Sequence, residues 1–360
     1  MGIKPNKKII KTGPRASFLF ACIRCFRFTI SIGLLLALLQ GCTEKSDQQV
    51  FSGMTMGTSY QVKIVPGDVS VDENLGDQID HQLQSLDKLF TTYNKTSELM
   101  IFNQSAINVS QAISQEMVEV LGIAQEVFIL THGAFDPTVG PLVNLWGFGP
   151  KDTHDGVPTS DIIAPLVLSI GFNHLLLDKK NQMATRQKDI QLDLSAVAKG
   201  YAADAVAKLL TSKGLENHLV EVGGELRANG HKSNGQPWRV AIEQPSLYQG
   251  GIQQAISLEN IAVATSGDYR NYFEKNGKRY SHTIDPRTGY PLNHSLASVT
   301  VIAKTAARAD ALATAMMVLG LEESLLLAEE NNIAIYILIK QGEGFKVQYS
   351  SAFTPYLSGD

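Results

Sequence analysis

The fold is decided by residues 297–338, ASVTVIAKTAARADALATAMMVLGLEESLLLAEENNIAIYIL. Ala297–Val301 alternates β-branched and small residues and predicts a strand. Apolar residues at helical spacing over Ala309–Leu319 predict a helix that Gly320 stops, and Leu321–Glu330 begins another. Ala334–Leu338 is a further strand. Working outward, strands are predicted at His218–Val222, Trp238–Ile242 and Ile261–Thr265, and shorter ones at Leu175–Leu177 and Ile190–Leu192. Phe51–Val65 reads as a bend at Gly57 followed by a strand. Helices are predicted over Glu73–Leu89, over Gln115–His132 up to Gly133, and from Ser195 through Ala198, Ala202, Val206 and Leu210. Strands and helices interleave without regular alternation, so the fold class is α+β and not a doubly wound sheet. No repeat and no linker divides residues 50–360, which are expected to form one large domain.

Composition excludes two classes. With 44% hydrophobic and 18% charged residues, the 360-residue chain can bury a large core and lies far from the disordered regime. A formal net charge of -4 provides no field for a phosphate backbone, so nucleic acid is not an expected partner.

The N-terminus carries Lys4, Lys7, Lys8, Lys11, Arg15, Arg24 and Arg27 before an apolar run, Phe28–Leu39, that ends in Gln40-Gly41-Cys42. The run is shorter than the roughly 20 residues of a spanning helix, so residues 1–41 are expected to be a signal peptide, with a marginal membrane anchor as the alternative. The junction resembles a bacterial lipobox, in which the cysteine is acylated, although Gln40 departs from the usual small or aliphatic residue. Cys42 is then the lipidation site and residues 42–49, small and polar, a tether. Cys22 and Cys25 lie in the segment to be removed, which leaves the mature chain no thiol for catalysis.

No dinucleotide, P-loop, zincin or nucleophile-elbow motif occurs in the required context. Four segments nonetheless combine glycine turns with polar residues: Gly133–Leu142 (GAFDPTVGPL), Asp193–Ala202 (DLSAVAKGYA), Ser281–Gly289 (SHTIDPRTG) and Ala309–Ala315 (ADALATA). Asp193, followed by small residues and a helical pattern, marks a helix entrance where unpaired N–H groups and the dipole receive a pyrophosphate, with Lys199 as a nearby cation. The plainer alternative is that Asp193 and Ser195 only cap the helix. Asp310 and Thr314, four apart, lie on one helix face and can offer oxygen ligands to a hard cation; a solvated Asp with a back-bonded Thr is the alternative.

Together these strings resemble the ApbE family of flavin transferases. The match extends to Thr55-Met56-Gly57-Thr58, to Tyr93 after Phe90-Thr91-Thr92, to Asn144–Pro150 (NLWGFGP) and to Val222-Gly223-Gly224-Glu225. The resemblance implies transfer of FMN from FAD to a Thr or Ser hydroxyl of another protein, with Mg2+ as cofactor and AMP as the second product. It implies that Tyr93 stacks on the flavin, that Met56, Ala134, Phe135, Asp136, Asp193, Lys199 and Ile284 line the FAD site, and that Ala196, Asp310, Ala313 and Thr314 hold magnesium. The general base is left between His282 and Asp310. Water as acceptor would make the chain an FAD pyrophosphatase, and loss of catalysis would leave a flavin-binding lipoprotein. Family acceptors carry an Asp-x-x-Ser/Thr-Gly-Ala-Ser/Thr motif and include membrane redox subunits such as those of sodium-pumping NADH:quinone oxidoreductase. That points to the periplasmic side of the inner membrane, with the outer membrane as the alternative.

If Cys42 carries the lipid, Cys42→Ser should release the protein from membranes or block its processing while the soluble domain stays active. A processed Cys42→Ser chain that still sediments with membranes would contradict the assignment.

Overall fold

Met56 and Gly57 both have left-handed backbone, φ 48° and 72°. This two-residue turn matches strand twist and folds β1 (Gln49–Thr55) antiparallel onto β2 (Thr58–Val65), with Thr55 opposite Thr58. The computed structural model describes residues 48–149, 156–245, 251–267, 272–275, 277–342 and 344–357. The expected signal peptide, Cys42, most of the tether and Pro150 lie outside the described residues. Gln49, assigned to the tether, already belongs to β1.

Six further strands extend the hairpin: β3 (Asn217–Val222), β4 (Glu225–Asn229), β5 (Ile261–Gly267), β6 (Leu296–Ala303), β7 (Ala334–Gln341) and β8 (Gly344–Tyr349). Each lies beside its predecessor and all neighbours are antiparallel, which is the α+β arrangement expected. Four long helices, α1 (Leu75–Phe90), α2 (Gln115–Leu130), α3 (Ser195–Ser212) and α4 (Ala306–Glu330), share one core with one face of the sheet. The hairpin of Trp238–Glu243 with Ile252–Leu258 shares a second core with the other face. β7 shows why its sequence is apolar without interruption. Ile335, Ile337 and Ile339 enter the helical core, whereas Ala334, Tyr336 and Leu338 enter the opposite one.

The expected strand at Ile190–Leu192 is not one. Ile190 and Leu192 are buried, but Gln191 makes only an isolated bridge to Val139. The Asn103 side chain takes the ladder's place, accepting from Leu192 N at 2.8 Å and donating to Leu192 O at 2.9 Å. The strand of this region is Met183–Arg186, which pairs with Leu175–Asp178.

α4 starts at Ala306 instead of Ala309 because its first N–H groups are capped from outside. The Asp204 carboxylate on α3 accepts from Ala306 N and Ala307 N, both at 2.9 Å, and the Thr305 hydroxyl accepts from Arg308 N at 3.3 Å. At Gly320 the backbone leaves helical geometry (φ 80°, ψ −174°), so the predicted stop divides α4 into two stretches. Among the described helices α4 is long and apolar enough to cross a membrane, yet it is the central core helix of the helical layer.

α3 and α4 touch backbone to backbone. A Cβ on Gly200 would lie 2.3 Å from the Ala306 carbonyl oxygen and 2.7 Å from Ala307 Cα. An ordinary helix gains stability when glycine becomes alanine. Here Gly200→Ala should instead cost about 1–3 kcal/mol, the range for an overpacked core, in chemical denaturation. A stabilised variant would show that the crossing can relax.

Candidate active site

The crossing positions the site. Asp193 precedes α3, and its carboxylate accepts from Ser195 N at 2.9 Å while its own N–H donates to Pro137 O at 2.7 Å. The first bond closes an Asx turn ahead of the helix, whose N-cap residue Leu194 has no side-chain cap, and the second ties the Gly133–Val139 loop to the helix entrance. Ala196 is non-helical (φ −88°, ψ 15°), which breaks the first turn. Gly200 N–H, the group an unbroken helix would close onto the Ala196 carbonyl, donates to Asp310 Oδ2 at 3.3 Å.

Three charges meet where α3, α4 and β4 converge. Lys199 Nζ lies 2.8 Å from Glu225 Oε1 and 3.7 Å from Asp310 Oδ2. Burial, reinforced by the Asp310 charge and offset by Lys199, pushes the Glu225 carboxyl up to about 8. Burial likewise raises Asp310, against the pull of Lys199 and Gly200 N–H. For Lys199 burial acts downward, but the two carboxylates outweigh it and hold the ammonium above the usual lysine range. Glu225 Oε2 is buried without a hydrogen-bond partner. Two carboxylates share one ammonium, and an orphaned buried oxygen remains, so the cluster has capacity for another cation.

These groups open into a cavity of about 880 Å³. Tyr93, Ala134, Phe135, Asp136, Asp193, Ala196, Lys199, His282, Ile284, Asp310 and Thr314 all line it. Met56, at the β1–β2 turn, and Ala313, 1% exposed in the core, do not, so the group Ala313 can offer is its main-chain carbonyl. Tyr93 is 76% exposed, an aromatic face presented to the cavity rather than to the core. The Asp136 carboxylate is committed within its loop, accepting from Thr138 N at 2.8 Å and Thr138 Oγ1 at 2.7 Å. The His282 ring meets Phe148 edge-on, with centroids 6.4 Å apart.

The turn after His282 is built as its sequence predicts: Asp285 O accepts from Gly289 N at 2.7 Å, and the Arg287 guanidinium pairs with the Asp285 carboxylate. Trp146 Nε1 donates to Gly289 O at 2.8 Å, which explains part of the NLWGFGP string. Glu225 was missed as a site residue. Its signal was Val222-Gly223-Gly224-Glu225, where Gly223 and Gly224 (φ 65° and 102°) turn β3 into β4 and deliver the glutamate to Lys199.

A helix entrance, an ammonium and acidic oxygens around one cavity can receive a phosphate-bearing ligand. The chain belongs to the ApbE family, whose model matches residues 56–337. It is 44% identical over 325 residues to an FAD:protein FMN transferase of Vibrio cholerae, covering 90% of this chain and 97% of that one. A Haemophilus influenzae FAD:protein FMN transferase is 41% identical over 331 residues, 90% of this chain and 95% of that protein. Among solved structures, the flavin transferase ApbE from Vibrio cholerae superposes with a TM-score of 0.79 at 42% identity, covering 87% of this chain and all of that one. The apo flavinyl transferase ApbE of Pseudomonas stutzeri gives 0.80 at 40% identity, covering 88% and 98%.

Removing the ammonium should leave two buried carboxyl groups without the counter-charge they share. Lys199→Met is expected to cost about 3–5 kcal/mol in chemical denaturation near neutral pH, and adding Glu225→Gln should recover much of it. Strict additivity of the two substitutions would deny the coupling.

Proposed function

We infer that this chain is an FAD:protein FMN transferase. The observation that carries the reading is the meeting of Asp193, Lys199, Asp310 and Thr314 on one cavity whose rim presents Tyr93. An acceptor Thr or Ser hydroxyl oxygen bonds to the FMN-side phosphorus of FAD, the pyrophosphate P–O bond to the AMP side breaks, AMP leaves, and the hydroxyl proton passes to a base. The α3 entrance and Lys199 bind and neutralise the pyrophosphate, so the approaching oxygen is not repelled. Tyr93 holds the flavin ring and keeps the phosphorus at a fixed distance from the helix entrance. The base is assigned to His282, which lines the cavity, and Asp310 is kept for the cation.

Among the described residues no group of three or more His, Cys, Asp or Glu side chains forms a metal centre. Magnesium, however, takes mixed oxygen ligands, and the donor chemistry here fits it: the Asp310 carboxylate, the Thr314 hydroxyl, and main-chain carbonyls of Ala196 and Ala313. Two carboxyl groups gathered on one ammonium and the orphaned Glu225 Oε2 support the fit. Bound there, the ion would offset charge on the pyrophosphate and on departing AMP.

The acceptors are proposed to be proteins with the Asp-x-x-Ser/Thr-Gly-Ala-Ser/Thr motif, membrane redox subunits among them. The basic, then apolar N-terminus ending at Cys42 supports a lipid anchor on the periplasmic side of the inner membrane.

Incubating the purified chain with FAD, Mg2+ and a motif-bearing protein should add one FMN to the acceptor by intact mass and release AMP. FMN and AMP without a labelled acceptor would make it a pyrophosphatase. Asp310→Asn keeps size but removes charge, so transfer should nearly vanish at limiting Mg2+ and partly recover as Mg2+ is raised. Full activity of that variant at limiting Mg2+ would remove Asp310 from the metal set.

A further inference from the structure

The cavity reaches both layers of the fold. Asp310 and Thr314 line it from α4, whereas Ile242 and Ile256 line it from the hairpin on the opposite face of the sheet. A cavity bounded by both layers must pass where the sheet is interrupted. The interruption lies between β4 and β5. These strands pair only at Leu226–Val263, Arg227–Ala262 and Ala228–Ile261, because β4 has already turned back into β3 at Gly223-Gly224. β5 runs on to Gly267, paired with β6 as far as Ser298. Along Ala264–Gly267 the β4 side of β5 has no neighbouring strand among the described residues, and Thr265, Ser266 and Gly267 line the cavity. Such an edge offers unpaired N–H and C=O groups to an incoming strand.

A second observation points to a missing partner. Thr265 and Thr300, directly opposite, share a hydrogen bond at 2.8 Å. The next pair on that face is Gly267 and Ser298, where glycine has no side chain to reply. Ser298 is 2% exposed, lines the cavity, and its Oγ has no hydrogen-bond partner. The other wall of the gap is the charge cluster itself. A Cβ on Gly223 would lie 3.0 Å from Lys199 Cδ and 3.3 Å from Glu225 Oε2.

We propose that the acceptor polypeptide enters as an extended segment that adds to the open edge of β5 at Ala264–Gly267, in the ladder position β4 vacates. The proposal rests on the transferase reading and supplies what that reading lacks, a way to bring a polypeptide hydroxyl to a phosphorus beside Lys199. Main-chain pairing holds the segment without regard to most of its side chains, and Ser298 Oγ gains a partner.

Hydrogen exchange of the whole chain, with and without a synthetic motif-bearing peptide, tests this alongside FMN transfer to the same peptide by intact mass. Amides within 264–267 should slow about tenfold or more at saturating peptide. Transfer without protection there would overturn the docking edge and leave the transferase reading standing; absence of both would overturn both. As a second measurement, methylating alternate backbone nitrogens of the peptide, side chains unchanged, should raise its KM about tenfold while FAD binding stays constant. An unchanged KM for both methylation patterns would also overturn the proposal.

Discussion

The contact on which the site depends is the one between two backbones, Gly200 on α3 and Ala306-Ala307 on α4. Helices separated by ordinary side chains lie 8–10 Å apart. A bare glycine lets these two approach until Gly200 N–H reaches the Asp310 carboxylate and the Asp204 carboxylate reaches the first N–H groups of α4. The two helices thus exchange hydrogen bonds that each would otherwise close internally or leave to water. The broken first turn at Ala196 and the Lys199–Asp310 proximity follow from the same approach. Because the donors in that exchange are main-chain groups, the Asp310 carboxylate is positioned by backbone geometry as well as by Lys199.

Electrostatics completes what packing begins. Lys199 alone serves both Glu225 and Asp310, and burial pushes both carboxyls toward their protonated forms. The aromatic side is different in kind: Tyr93 is exposed, and the Gly133–Val139 loop is held from behind by Asp136, Thr138 and Asp193. One end of the cavity is therefore a charged wall with little freedom, and the other an aromatic face on a loop.

Much of this was legible in the sequence where one physical rule governed a long stretch. The run Ala334–Leu338 announced a strand because both faces of the sheet are covered, and Gly320 announced a break because only glycine takes its backbone angles cheaply. Ile190–Leu192 misled because burial of alternate residues looks the same whether a strand or the Asn103 amide satisfies the backbone. At the site, Asp193, Lys199, Asp310 and Thr314 were found through their helical spacing and the family resemblance. Glu225 was not, since its partner Lys199 comes from another element and nothing local to a Gly-Gly turn reveals a distant ammonium. The interrupted β4–β5 ladder was invisible for the same reason: where one strand ends beside another is a property of pairing, not of either strand.

The sheet is a simple succession in space, but not along the chain. β2 pairs with β3 from Tyr60–Val222 to Val65–Asn217, so everything between residues 66 and 216, α1, α2 and α3 included, is one excursion between adjacent strands. Loop-closure entropy rises only slowly with length, about 0.6 kcal/mol per doubling, so the native state tolerates such an excursion. The kinetic burden is larger, because the N-terminal hairpin acquires its other sheet neighbour only after residues 66 to 216 have found their places. Tyr93 and Asp136 come from the excursion, and Glu225 and Asp310 from beyond it. A partly assembled chain therefore holds either the aromatic rim or the acidic wall, and flavin chemistry waits on the completed molecule.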